Sequence, residues 1–336
     1  MVLDPLLSAK EADDVVRVWH DFPSYGLYSN EGFATAFAPE LAQRYDAAAN
    51  FVRSGGRFGR TGELKSMLAA RTNYFRETYA YGDDVIDPAI TGFFHHDRLL
   101  DAARALHGRD VIVPAIVYAN ILAPGQELAV HTDVPEFRGA SRKVIPQWLL
   151  VVMHHSGLFD SWRMPIATAV TYFGHAKGGE LAYYPDGPAG AAATYAPRHN
   201  SGVMLDTDSV FHGVDRVAGD EAALQHLRPG MRLHSVGNGR WEVRSGDDAV
   251  ASYGTDDLRY SVSWKAYCFT DEAERRAWDD HSDDLSLEVI LGRLVDELVQ
   301  REILPSADHE LPDAELGRLL IESFVHFPAA VPVTSE

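Results

Sequence analysis

A chain of 336 residues, 46% of them hydrophobic, has enough apolar content for a large core in one domain or two. Its 30 Lys and Arg stand against 49 Asp and Glu, a formal net charge of -19 that repels a phosphate backbone at long range, so nucleic acid is not an expected partner. A single cysteine, Cys268, excludes an internal disulfide and a cysteine-rich zinc site and suits a reducing cytoplasm.

The N-terminal residues mix acidic side chains among apolar ones and carry no basic leader, so they do not read as a signal peptide. No run approaches the roughly 20 apolar residues that a membrane span needs, and no membrane partner is expected. Ser8 is placed to cap a helix whose apolar stripe holds Val15, Val16, Val18 and Trp19. A second helical stretch follows Asn30, breaks or restarts near Pro39 and ends at Gly55-Gly56. Residues 62–82 and 95–108 continue the helical texture, the latter stopping at Gly108. Residues 1–108 thus read as a helical region that packs on a sheet.

From Arg109 the chain changes to β-branched and aromatic runs separated by Gly and Pro, at 111–122, 127–133, 148–155, 167–174, 179–185, 201–206 and 258–269. Many short strands with turn signals predict a double-stranded β-helix, the cupin-like jelly roll. Within it, residues of about 228–254 read as an inserted hairpin, with Asn238-Gly239 a type I′ turn signal. Helical period returns after Thr270. The expected class is α+β: a β-rich core at 109–270 with helical flanks at 1–108 and 271–336, one composite domain. The last helix carries Leu319, Leu320, Ile321 and Phe324, which could cover its own core or a second copy, so a homodimer stays open.

The chemistry concentrates at His131-Thr132-Asp133. Side chains alternate along a strand, so His131 and Asp133 share a face and can reach one metal ion, while Thr132 points outward. A third ligand is available downstream at His212, where the apolar run 203–205 and Val210-Phe211 lead into a histidine and a tight turn at Gly213. Two imidazoles and one carboxylate make the facial triad that suits non-haem Fe(II) and leaves coordination positions open. On 258–269, period two puts Arg259, Ser261, Ser263 and Lys265 on one face and Leu258, Tyr260, Val262 and Trp264 on the other. A guanidinium facing inward needs a carboxylate, and Arg259 can grip one with two parallel hydrogen bonds while Ser261 adds a third. Other histidines carry weaker signals. His95-His96-Asp97 reads as a solvated first helical turn, and His154-His155, read as a strand end, would send their rings to opposite faces.

The H-T-D tripeptide, Gly178-Gly179-Glu180-Leu181, the H-G-V turn at His212 and Arg259-x-Ser261, in that order, resemble the Fe(II)/2-oxoglutarate-dependent dioxygenases, most of all their prolyl-hydroxylase-like branch. The resemblance covers roughly residues 110–270. It implies metal ligation by His131, Asp133 and His212, a 2-oxoglutarate carboxylate on Arg259 and Ser261, and hydrogen bonds to that co-substrate from Tyr118 and Asn120. In the family the basic residue follows the distal histidine closely, whereas Arg259 lies 47 residues beyond His212; the inserted hairpin accounts for the gap, and Arg216 reads as a surface or loop residue. Arg138 and Arg142, in a basic loop beside the ligands, are candidates for substrate contact. The implied activity is hydroxylation of a small molecule such as an amino acid or secondary metabolite, or its desaturation or cyclisation, using Fe(II), 2-oxoglutarate and O2 and releasing succinate and CO2. Two other readings are a metal-dependent binding module without turnover and an iron oxygenase that dispenses with 2-oxoglutarate.

Overall fold

In the computed structural model, residues 1–28, 45–58, 63–307 and 309–330 are described. In chain order the elements are β1 (Val2–Leu3), α1 (Ala9–Asp21), β2 (Tyr25–Tyr28), α2 (Tyr45–Ser54), α3 (Lys65–Thr72), β3 (Tyr74–Tyr81), β4 (Asp84–Val85), α4 (Pro88–Phe94), α5 (Asp97–His107), β5 (Val111–Leu122), β6 (Leu128–His131) and β7 (Glu136–Phe137). They continue with α6 (Gln147–Ser156), β8 (Arg163–Met164), β9 (Ile166–Phe173), β10 (Leu181–Tyr183), β11 (Ala193–Tyr195), β12 (Ser201–Leu205), β13 (His212–Val214), β14 (Arg232–Gly237), β15 (Arg240–Ser245), β16 (Asp248–Gly254), β17 (Arg259–Phe269), α7 (Glu272–Asp279), α8 (Leu287–Gln300) and α9 (Asp313–Phe324).

Among the described residues the strands form a large antiparallel sheet of 11 strands, ordered β1-β12-β9-β17-β5-β3-β2-β14-β15-β16 with β4 beside β3, and a small one ordered β11-β10-β13-β6. The alternation read from β17 explains how they stack. Tyr260, Val262 and Trp264 point to one face of the large sheet, into a core built with Val15 and Trp19 of α1, Phe93 of α4 and Leu99 of α5. Arg259, Ser261, Ser263 and Lys265 point to the other face and line a cavity of about 890 Å³. The small sheet closes that cavity from the far side with Leu128, His131, His212 and Val214. Behind the small sheet, Val130 and Phe211 pack against α6, α8 and α9. The layers are thus helices, large sheet, cavity, small sheet, helices.

Local signals hold at several ends. Ser8 and Glu11 form a reciprocal capping box on α1, and Gly108 ends α5 in the left-handed conformation at φ 62. Gly55 and Gly56, at φ 73 and 78, follow α2. The start of that helical stretch, with Asn30 and Pro39, lies outside the described residues, as does Gly62. The apolar face of α9, with Leu320, Ile321 and Phe324, packs with α6 and α8 on this chain's own core.

Three expectations are corrected. The helix read over 62–82 covers only Lys65–Thr72; from Tyr74 the chain is strand, because alternating aromatic residues can pair along β5 from Phe75↔Ile121 to Tyr81↔Ile116. With β1 to β4 also in the sheet, residues 1–108 supply strands as well as covering helices. The strand read at 148–155 is α6: an unbroken apolar run has no period of its own, and Pro146 and Gly157 at its ends bracket a helix buried between neighbours. The inserted hairpin is a three-stranded meander. Its Asn238-Gly239 turn has both residues at positive φ, 52 and 68, as a type I′ turn requires. It extends the large sheet through β14 and β2 and buries Trp241, which stacks on Trp19 with centroids 5.3 Å apart. The insertion is therefore part of the core.

Candidate metal centre and co-substrate site

His131 is the last residue of β6 and pairs directly with His212, the first of β13, so the register of the small sheet brings the two imidazoles together with ring centroids 4.5 Å apart. Asp133 lies two residues past the strand and is held there by its backbone N–H, which donates to the Thr207 carbonyl at 2.8 Å. Its Oδ1 stands 3.5 Å from His131 Nε2 and 3.8 Å from His212 Nε2. One ligand atom from each of the three residues lies within 4.8 Å of the others, the spacing of donors around a single ion.

The tautomers follow from the second contacts. His131 Nδ1 meets the Ala129 carbonyl at 2.7 Å and His212 Nδ1 meets the Val210 carbonyl at 2.9 Å. A carbonyl only accepts, so each Nδ1 carries the proton and each Nε2 offers its lone pair to the shared point. Burial first, then the neighbouring His131, push His212 down to about 4, which keeps it neutral and able to ligate at pH 7. Burial alone would raise the Asp133 carboxyl; Lys265, with the two histidines, outweighs it and holds the group well below the usual carboxylate range. The donor set fits a divalent ion with two neutral nitrogens and one anionic oxygen.

Lys265 is the site residue that the sequence reading placed on the correct face but did not assign. Its Nζ donates to Asp133 Oδ2 at 2.7 Å. The contact occupies one carboxylate oxygen and leaves Oδ1 toward the histidines. Its signal in the sequence was the period-two face shared with Arg259. Thr132 points away from the two ligands as expected but is buried, its Oγ1 3.3 Å from His155 Nε2. His154 and His155 lie on α6, and neither lines the cavity.

Arg259 is 2% exposed. Its Nε donates to the Gly179 carbonyl at 2.6 Å and its Nη1 to Ser261 Oγ at 3.1 Å, and Ser261 in turn donates to the Asn120 carbonyl at 3.2 Å. Among the described residues its Nη2 makes no well-formed hydrogen bond; the Tyr172 hydroxyl lies close enough to the guanidinium to interact with it, also without good hydrogen-bond geometry. Burial lowers the pKa of the guanidinium, but an arginine so placed stays charged, and one of its nitrogens therefore awaits an acceptor. Gly179 makes the close approach possible: a Cβ there would stand 2.4 Å from Arg259 Cδ.

Tyr118 and Asn120 also face the cavity. Asn120 donates to Ser263 Oγ at 3.4 Å, while its Oδ1 is buried without a partner. Tyr118 lies under the Arg76 guanidinium, 4.0 Å from ring centroid to carbon. Arg138 and Arg142 stand on the cavity wall, Arg138 already paired with Asp283 at 2.6 Å and Arg142 at 3.9 Å from Glu136. Arg216 belongs to a charged cluster with Glu127 and Glu221 and does not line the cavity.

No family model matches the sequence, and no curated protein matches it. Among solved structures, the chain is similar to the non-heme alpha ketoglutarate dependent epimerase SnoN from nogalamycin biosynthesis, at 9% identity and TM-score 0.41 over 80% of this chain and 78% of that one. It is similar to HygX from Streptomyces hygroscopicus, at 9% identity and TM-score 0.39 over 80% and 82% of the two chains. It is also similar to a Pseudomonas putida prolyl-4-hydroxylase, at 13% identity and TM-score 0.33 over 77% and 98%. Among its described residues this chain carries a His-Asp-His triad.

Proposed function

We propose that the protein is an Fe(II)- and 2-oxoglutarate-dependent dioxygenase of the double-stranded β-helix type that oxidises a small molecule, with hydroxylation its default outcome. The observation that carries this reading is the pairing of a three-donor metal site with a buried guanidinium, Arg259, whose Nη2 makes no well-formed hydrogen bond among the described residues, in one cavity. His131, Asp133 and His212 would hold the metal, and Arg259 with Ser261 would take the far carboxylate of 2-oxoglutarate. Bound there, the iron supplies the coupled chemistry of the class: 2-oxoglutarate and O2 are converted to succinate and CO2 as one oxygen atom enters a substrate C–H bond. The chain's own part is orientation. Lys265 fixes the Asp133 carboxylate, and the backbone carbonyls of Ala129 and Val210 fix the imidazoles.

The test is succinate formation from 2-oxoglutarate under air with Fe(II) and a metabolite panel. The wild type should turn over and be stimulated by its substrate, whereas His131→Ala and Arg259→Ala should lose turnover. Turnover undiminished in those variants, or indifferent to 2-oxoglutarate, would reject the proposal. Metal and 2-oxoglutarate binding with no oxygen consumption on any substrate would leave a binding module in its place.

A further inference from the structure

The cavity holds a second guanidinium that the proposed chemistry leaves idle. Arg76, on β3, lines the cavity over the Tyr118 ring at 4.0 Å and near the Tyr28 ring at 5.6 Å. It has no carboxylate within 4 Å among the described residues; the hydroxyls of Tyr74, Tyr118 and Tyr28 surround it, that of Tyr74 within hydrogen-bonding reach. Every other arginine discussed at this cavity apart from Arg259 has an acidic neighbour, Arg138 at Asp283 and Arg142 at Glu136. A half-buried guanidinium held in aromatic surroundings is oriented by its stacking, and among the described residues nothing neutralises it.

Position separates it from the co-substrate. The line from Arg259 to the metal ligands runs along β17, ending where Lys265 meets Asp133. Arg76 lies to the side: it pairs with Asn120 of β5, which pairs with Ser261 of β17, so two strand spacings, roughly 10 Å, separate Arg76 from that line. Between them the buried Asn120 Oδ1 lacks a partner. A ligand along β17 satisfies Arg259 and leaves Arg76 to whatever occupies the remaining space beside Tyr118.

We propose that Arg76 is the anchor for an oxyanion of the substrate, a carboxylate or phosphate, gripped by the guanidinium while Tyr118 and Tyr28 hold that guanidinium flat. Asn120 Oδ1 accepts a hydrogen bond from a neighbouring substrate N–H or O–H. The inference rests on the functional reading above and narrows its substrate class to acidic small molecules, with the acid bound beside the co-substrate and the oxidised carbon reaching toward the triad.

The experiment uses the full chain loaded with Zn(II), which is redox-inert, and 2-oxoglutarate. Small carboxylic acids and phosphate monoesters are titrated calorimetrically, each beside its uncharged methyl ester or parent alcohol. The binding acids should bind at least about tenfold more tightly than their neutral counterparts, as a charge-assisted bidentate contact provides. Arg76→Gln should erase that preference while leaving 2-oxoglutarate affinity within about twofold, and Arg76→Lys should restore part of it. The carboxylate and phosphate arms show which oxyanion is taken. Acids binding no better than neutral counterparts throughout, a preference surviving in Arg76→Gln, or loss of 2-oxoglutarate affinity in that variant would each overturn the proposal. Failure of the wild type to bind 2-oxoglutarate would instead refute the functional reading beneath it.

Discussion

At Arg259 the cost of burying a guanidinium falls on one nitrogen: Nε and Nη1 are bonded to Gly179 and Ser261, and Nη2 makes no well-formed hydrogen bond among the described residues. Arg259→Leu should therefore fold, since it removes an unsatisfied charge, and should weaken 2-oxoglutarate binding by about a hundredfold, the worth of a lost charge-assisted pair. Titration calorimetry with and without the variant checks this. Lys265 makes a subtler case. Its ammonium repels a divalent ion by a few kcal/mol at an effective dielectric of about 20, more than the order of 1 kcal/mol gained by orienting one carboxylate. Lys265→Met should thus retain or tighten Fe(II) binding, while turnover falls about tenfold to a hundredfold because Asp133 is free to rotate. Unchanged turnover would show that the contact orients nothing.

Elements position these residues, and two of them can be tested directly. Gly179 sits at φ 67 just before β10, and its missing Cβ leaves room for Arg259 Cδ. Gly179→Ala should damage 2-oxoglutarate binding more than melting temperature, because the side chain that must shift is the one proposed to grip the co-substrate; equal losses would contradict this. In the β14–β16 meander, Trp241 is fully buried against Trp19, so Trp241→Ala should cost about 3–5 kcal/mol in denaturant unfolding. The faces of β17, with Arg259 and Lys265 on one of them, were legible in the sequence because a strand's period of two needs only the strand itself; the strand expected to carry both His131 and Asp133 ends at His131, and Asp133 is instead positioned by its backbone bond to Thr207. Lys265 was legible as a position but not as a partner, since its contact with Asp133 spans 132 residues. Arg76 was hidden inside a stretch read as helix, where nothing local distinguishes aromatic strand alternation from a helical stripe. The strand read at 148–155 failed for the complementary reason: its burial on all sides erased the polar face that reveals period.

Across the whole molecule, the two sheets pinch a cavity between two helical layers, and a buried carboxyl outside the lining of that cavity ties stability to pH. Asp208 is fully buried with both oxygens unpartnered, and burial pushes its carboxyl up to about 7 from an ordinary 3.8. Below the ordinary value both folded and unfolded chains hold the proton; as pH rises toward 7 only the unfolded chain releases it, so stability falls across that window and levels off above it. The fall is at most about 4 kcal/mol. Asp208→Asn should flatten that slope, so its advantage in melting temperature over the wild type should grow between pH 5 and pH 8; a constant difference would contradict the assignment. A metal held by His131, Asp133 and His212 would lie in the cavity, and removing it with a chelator should lower the melting temperature of the metal-loaded wild type but not that of His131→Ala.

The central claim concerns three ligands and one guanidinium acting on a single bound pair of metal and keto acid. Its most direct measurement is an oxygen-free optical titration of the Fe(II)-loaded protein with 2-oxoglutarate. A visible charge-transfer band that saturates at about one equivalent, and is absent from His212→Ala, is the predicted result. Metal bound tightly with no band at any 2-oxoglutarate concentration would contradict it.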